Sequence, residues 1–173
     1  MPSNIEIKAH IRDTGSLERK LRELVGDPVS KFTQKDTFFN APYGRLKLRE
    51  SPDSPPELIY YERDDTPDPT ESRYNRMALS EMNYFAEILS ASLGIRGVVE
   101  KKRKLYQYKN TRIHLDTVED LGTFVELEVE LTDNLSREEG HQMASQLMAS
   151  LGIQETDLID KAYIDLLEER QKQ

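Results

Sequence analysis

Residues 124–131 read FVELEVEL, with Glu126, Glu128 and Glu130 alternating with Val125, Leu127, Val129 and Leu131. A period of two is that of a half-buried strand, with apolar side chains on one face and all three carboxylates on the other. The same alternation runs through IEIKAHI (5–11), GRLKLRE (44–50), ELIYYER (57–63), VVEKKRKLYQY (98–108) and TRIHLDTV (111–118). Further strands are expected over 72–79 and around 31–40, with SPDSPP (51–56) and DDTPDPTE (64–71) as loops. Lys109 and Asn110 form a joint short enough for a hairpin.

Four stretches carry helical spacing instead. GSLERKLRELVG sets Leu17, Leu21, Leu24 and Val25 on one stripe, and EMNYFAEILSASLG sets Tyr84, Phe85, Ile88, Leu89 and Leu93 on another. SREEGHQMASQLMASLG opens with a Ser136-x-x-Glu139 capping box, and DLIDKAYIDLLEER (157–170) supplies the last helix. Seven or eight antiparallel strands with a few helices predict an α+β domain on a large sheet or barrel, with residues 1–173 as one domain.

With each strand's apolar phase packed on helices, the opposite phase collects charge. It holds Glu6, Lys8 and His10; Arg45, Lys47 and Arg49; Tyr61 and Arg63; Arg112, His114 and Asp116; and the three glutamates of the opening run. In VVEKKRKLYQY the charge is too dense for parity to choose, and Lys101 and Arg103 are one of two possible picks. Like charges at alternate positions repel unless something of opposite sign lies between them. Inside a barrel such groups must meet water, one another or an ionic ligand. A polyanion held by Lys and Arg with a divalent cation held by Glu satisfies both sets, and internal salt bridging from the glutamates to facing arginines is the plainer alternative.

Composition narrows the chemistry. There is no cysteine, so a disulfide framework and a thiolate zinc site are excluded. The net charge of −8 argues against a general nucleic-acid surface, which leaves EKKRK (100–104) as part of an alternating strand. With no apolar run of membrane-spanning length and no apolar block at MPSNIEIKAH, a soluble cytoplasmic protein with no membrane partner is expected. No G-x-x-x-x-G-K-[ST] phosphate loop occurs.

The phrases NIEIKA, QKDTFFNAPYGRLKLRE, IYYER, VVEKKRKLY, RIHLDTVEDLGTFVELEVEL and AYIDLL, in this order across nearly the whole chain, resemble the CYTH superfamily of triphosphate tunnel metalloenzymes. That superfamily includes class IV adenylyl cyclases, thiamine triphosphatases, inorganic triphosphatases and RNA triphosphatases. The resemblance implies a closed eight-stranded antiparallel barrel with flanking helices, whose cations grip a triphosphate and whose acids hold Mg²⁺ or Mn²⁺. Carried over residue by residue, it implies triphosphate contacts from Lys8, Lys47, Arg49, Arg63, Lys101, Arg103 and Arg112, and metal contacts from Glu6, Glu126 and Glu128. Asp116 falls at a recurrent acidic site, either ligating metal or supporting a ligand. Lys8, Glu6 and Glu128 are the implied catalytic set. One departure stands out: the first glutamate of the signature is Asn4, which brings oxygen but no charge.

The implied function is metal-dependent hydrolysis of inorganic, thiamine or nucleoside triphosphate. The alternatives are a class IV adenylyl cyclase making cyclic AMP and pyrophosphate, and a module that binds triphosphate or polyphosphate without turnover. A triphosphate-containing small molecule is the expected partner, for a monomer or homodimer. His10 and His114 are expected as wall residues, His141 on a helix surface, Tyr163 and Leu166 as core contacts, Glu130 at the rim or on metal, and Lys161 on phosphate or in solvent.

Overall fold

A computed structural model describes residues 1–173. The chain runs β1 (Ser3–His10), α1 (Thr14–Val25), β2 (Ser30–Phe39), β3 (Arg45–Ser51), β4 (Ser54–Arg63), β5 (Thr70–Ala78), α2 (Met82–Leu93), β6 (Ile95–Tyr108), β7 (Thr111–Val118), β8 (Gly122–Glu130), α3 (Arg137–Leu151) and α4 (Tyr163–Gln171). The strands close into a barrel in the order β1-β5-β4-β3-β2-β6-β7-β8, every neighbour antiparallel, with β8 returning to β1. The acidic strand β8 therefore lies against β1, with Glu128 opposite Glu6 and Glu126 opposite Lys8.

Closure puts the apolar phase of β1, β7 and β8 on the outside, where α1 and α3 cover it. Ile7, Ile113, Leu115, Val125 and Leu127 pack there with Leu17, Leu21, Leu147, Met148 and Leu151. Each such side chain removed from water contributes about 1.5–3 kcal/mol, so the driving force for the fold sits around the barrel wall and the inside is free to be polar. A second apolar layer forms where Phe38, Val99 and Phe124 meet Ala162, Tyr163 and Ile164 at the start of α4. α2 covers Phe39, Leu48 and Leu79 with Phe85, Leu89 and Leu93.

Local chemistry explains the element ends. The Ser136 hydroxyl accepts from Glu139 N (3.2 Å) while Ser136 N donates to the Glu139 carboxylate (2.8 Å), the reciprocal cap read from the sequence. Between β2 and β3, Gly44 has φ 59° and a Cβ there would lie 2.8 Å from the Tyr61 carbonyl, so the turn closes only on glycine.

Several expectations need correction. Strand pairing extends into both anticipated loops: Ser51 pairs Ser54 across a two-residue turn, and Thr70 already pairs Glu6. In α2, Tyr84 and Ile88 are 65% and 64% exposed, because their stripe is rotated about 100° from the Phe85–Leu89 stripe that meets the barrel. The helix expected over 157–170 is divided. Residues 155–157 form a 3₁₀ turn, Leu158 bridges Ala9, and Ile159 N donates to Lys8 O, so main-chain pairing to β1 displaces the helix until Tyr163. Asp165 then accepts from Ala162 N (3.0 Å) and caps α4.

Gly140, buried in α3, tests the outer layer. A Cβ at this position would lie 2.9 Å from Ile5 Cγ1 and 2.7 Å from Leu131 Cδ2. The helix-propensity gain of ~1 kcal/mol is opposed by overpacking of ~1–3 kcal/mol. Gly140→Ala is expected to lower the urea midpoint, through a net loss of about 1 kcal/mol of stability. A midpoint that stays or rises would show that α3 is not packed on β1 at this distance.

Candidate functional site

The inward phase of the barrel encloses a cavity of about 130 Å³. Of the residues the sequence singled out, Glu6, Lys8, Lys47, Arg49, Arg63, Lys101, Arg103, Arg112, Glu126 and Glu128 line it. Asp116 sits behind that lining with no exposure at all. Eight cationic side chains face four carboxylates on the wall, Arg76 and Asp36 being members the sequence reading omitted. The surplus of cations contrasts with the −8 charge of the whole chain.

Two carboxylates organise the cations. Asp36, 2% exposed on β2, accepts from Arg49 Nε and Nη2 and from Lys47 Nζ, each at 2.8 Å. Burial alone would raise its pKa, but Arg49 and Lys47 hold it well below the usual carboxylate range. Asp116 receives Arg103 through two parallel bonds of 2.7 and 2.6 Å, and the Tyr163 hydroxyl donates to the same carboxylate at 2.9 Å. The Tyr163 ring also faces the ammonium groups of Lys8 (4.2 Å) and Lys101 (5.2 Å). Tyr163 is thus a core contact that also closes one end of the cavity.

The β8 glutamates are bound from the side. Glu126 meets Lys8 at 3.2 Å and Arg103 at 2.6 Å, and Glu128 meets Arg112 Nε at 2.9 Å. Internal salt bridging, the plainer reading of the alternating glutamates, is thus part of the structure. His114, 5% exposed, lies behind this pair with Nδ1 3.6 Å from an oxygen of each. Burial and the nearby Arg103 lower its pKa, which leaves it neutral near pH 7. Burial opposes ionisation of Glu128, but the charges of His114, Arg112 and Arg103 hold it down at about 2. With the imidazole neutral, Arg112 and Arg103 still lower it, but by less.

Glu6 behaves oppositely. Burial and the facing Glu128 push it up to about 7, and its closest cation, Arg63, is 3.9 Å away. Lys101 is pushed down to about 7 by burial and by neighbouring Arg103. Both shifts come from burial beside a group of like charge. The donor set fits a divalent cation: oxygen ligands from two adjacent strands, one retaining its proton for want of a positive charge.

The remaining expectations sort by position. Arg45 leaves the lining for the barrel end, where it pairs Asp65 and Asp165. His10 does not line the cavity; it is the exposed last residue of β1, still paired with Phe124 of β8, and its ring lies tilted against the Phe124 ring (4.8 Å). Glu130 is exposed at the rim opposite Asn4, and the Lys161 ammonium pairs Glu169 while its carbonyl accepts from Lys8 (3.3 Å). Asn4 is 2% exposed, and in the amide orientation that satisfies its neighbours its oxygen accepts from Arg112 Nη2 (3.3 Å). Asp36 had a signal, since it is in phase with Gln34 and Phe38. The adjacent Phe38 and Phe39 blurred that phase.

A closed antiparallel barrel with a charged interior and a helical jacket defines a tunnel protein. The sequence model of the CYTH domain matches residues 3–163, and the chain belongs to that family. A Methanocaldococcus jannaschii protein provisionally named an adenylate cyclase is 23% identical over 171 residues, 94% of this chain and 97% of its own. A solved Pyrococcus horikoshii structure is 27% identical with a TM-score of 0.83, covering 94% of this chain and 98% of its own. A Hippeastrum protein, described as an adenylyl cyclase candidate with a dominant triphosphatase activity, shares the fold at 15% identity and TM-score 0.65, covering 100% of this chain and 97% of its own. No helix of the chain is long and apolar enough to cross a membrane.

The raised Glu6 pKa has a measurable consequence. The unfolded chain gives up this proton near 4.5 and the folded chain keeps it to about 7, so stability declines across that window and is flat above it. Glu6→Gln removes the buried charge, and in chelator it is expected to stabilise the protein by roughly 1–3 kcal/mol more at pH 8 than at pH 5. Equal effects in denaturant titrations at the two pH values would place Glu6 in water instead.

Proposed function

We propose that the tunnel binds a triphosphate-containing small molecule and hydrolyses it with the help of Mg²⁺ or Mn²⁺. The observation that carries this reading is the convergence of eight cationic side chains and four carboxylates on one small cavity inside a chain of net charge −8. Focused positive potential within low-dielectric walls favours a polyanion over singly charged or neutral ligands.

Lys8, Lys47, Arg49, Arg63, Lys101, Arg103 and Arg112 grip phosphate oxygens, all but Arg63 positioned in advance by Asp36, Asp116 and the β8 glutamates, and Arg63 by the Asp160 carbonyl. Such fixed donors need little reorganisation as negative charge develops, the arrangement that most lowers a phosphoryl-transfer barrier. Glu6, Glu126 and Glu128 would hold the cation. A bound divalent ion would supply charge neutralisation and Lewis acidity at the attacked phosphorus. Asp116, occupied by Arg103 and Tyr163, acts as a positioning residue. Lys101 takes up a proton as the polyanion enters, since the nearby negative charge reverses the shift that burial causes. Hydrolysis adds water oxygen to phosphorus and breaks the bond to the departing phosphate.

The name of the M. jannaschii relative favours a second reading, in which the ribose 3′-hydroxyl of ATP displaces pyrophosphate. The description of the Hippeastrum protein favours the first. Incubation with ATP, tripolyphosphate and thiamine triphosphate in Mg²⁺ or Mn²⁺ separates them. Orthophosphate is the expected product, cyclic AMP with pyrophosphate would establish the cyclase, and binding without product would leave a capture module.

Arg49→Ala tests the receptacle; Lys47 still pairs Asp36, and a thermal melt of the variant checks that the fold survives loss of the two Arg49 bonds to that buried carboxylate. Loss of a charge-assisted donor worth about 1.5–3 kcal/mol is expected to weaken tripolyphosphate binding by calorimetry at least tenfold. Unchanged affinity would count against every version of the tunnel as a phosphate site.

A further inference from the structure

His114 has no task in the phosphate grip. It projects from β7 toward the cavity side of the wall, is 5% exposed, and its Nδ1 is buried without a hydrogen-bond partner. A buried polar nitrogen left unpaired in a fold that pairs most of its other interior groups calls for an explanation. Nδ1 lies 3.6 Å from Glu126 Oε2 and 3.6 Å from Glu128 Oε1, too far for hydrogen bonds to either. The ligand atoms of these three residues all fall within 4.8 Å of one another. Groups bound at about 2.1 Å to one ion stand roughly 3.0–3.5 Å apart, so the trio needs only a small contraction to share a cation.

The neighbours leave room for that role. Arg112 holds Glu128 Oε2, which turns Oε1 to the imidazole. Lys8 holds Glu126 Oε1 and Arg103 holds Oε2, whose second lone pair is left for a cation on the histidine side. On β1, Asn4 is neutral and its oxygen is engaged by Arg112, so Glu6 is the only carboxylate that strand offers to the cavity.

We infer that His114 supplies a nitrogen ligand which, with Glu126 and Glu128, completes a mixed nitrogen–oxygen cation site that selects Mn²⁺ over Mg²⁺. Mg²⁺ is held by oxygen and keeps its waters, whereas transition ions accept imidazole readily. Inferred selectivity rests on the metal-dependent reading above, and it locates the cation toward β7 and β8.

The test uses the full chain with Mn²⁺ alone and with Mg²⁺ alone. Electron spin echo modulation of the Mn²⁺-loaded protein is expected to show coupling to a ¹⁴N nucleus. His114→Gln is expected to abolish that coupling and weaken Mn²⁺ binding by about tenfold or more, while Mg²⁺ affinity, read by calorimetry, moves less than about threefold. Tightly bound Mn²⁺ with no ¹⁴N coupling in the unaltered protein would overturn the inference and leave the metal-dependent tunnel intact. Failure to bind Mn²⁺ at all would overturn both. Should His114→Gln fail to fold, the spectrum of the unaltered chain still decides.

Discussion

The two-pronged contact between Arg103 and Asp116 is the interaction on which the interior depends. Both groups are almost wholly removed from water, a position neither tolerates alone, and removing one partner of such a pair typically costs about 3–5 kcal/mol. The pair fixes one guanidinium in the wall, and that guanidinium fixes Glu126, which fixes Lys8. Tyr163 reaches Asp116 from the first turn of α4, so the closing helix is registered to the same charge network. Asp36, two strands away on β2, does for Arg49 and Lys47 what Asp116 does for Arg103.

An interior of this kind requires the ordinary hydrophobic core to lie elsewhere. Here it lies outside the barrel, under α1 and α3, where fully buried Leu21, Ile113 and Leu127 meet. The division of labour follows from strand alternation: each strand gives one phase to the jacket and the other to the tunnel. It also explains how a chain with net charge −8 presents a cationic cavity, since the surplus acid is spread over outer surfaces and loops.

Most of this was legible in the residues because period two is a strong signal when one phase is uniformly apolar. FVELEVEL, GRLKLRE and TRIHLDTV declared their faces, and Lys47, Arg49, Arg112, Glu126 and Glu128 line the cavity in the predicted phase, while Arg45 and Glu130 lie outside it. Legibility failed where parity was blurred or long-range partners decided. Asp36 was hidden by adjacent phenylalanines, and Arg76 lies on a strand whose mixed composition, TESRYNRMA, gives no apolar phase. Pairing of residues 158 and 159 with β1 could not be read from a segment with helical spacing, because the competing main-chain partner is some 150 residues away. His10 kept its parity but sits at the last pair of the β1–β8 ladder, beyond the cavity, a matter of position along the strand rather than pattern. The strand resemblance and the CYTH match agree on the fold.

The central claim is that opposing charges from separate strands converge within a closed cylinder to receive a polyanion. A crystal structure grown with tripolyphosphate tests it most directly. Phosphate oxygens within hydrogen-bond reach of Arg49, Arg63 and Arg103, inside the barrel, are the predicted result. A ligand seated on the outer face, with the interior ion pairs undisturbed, would contradict it.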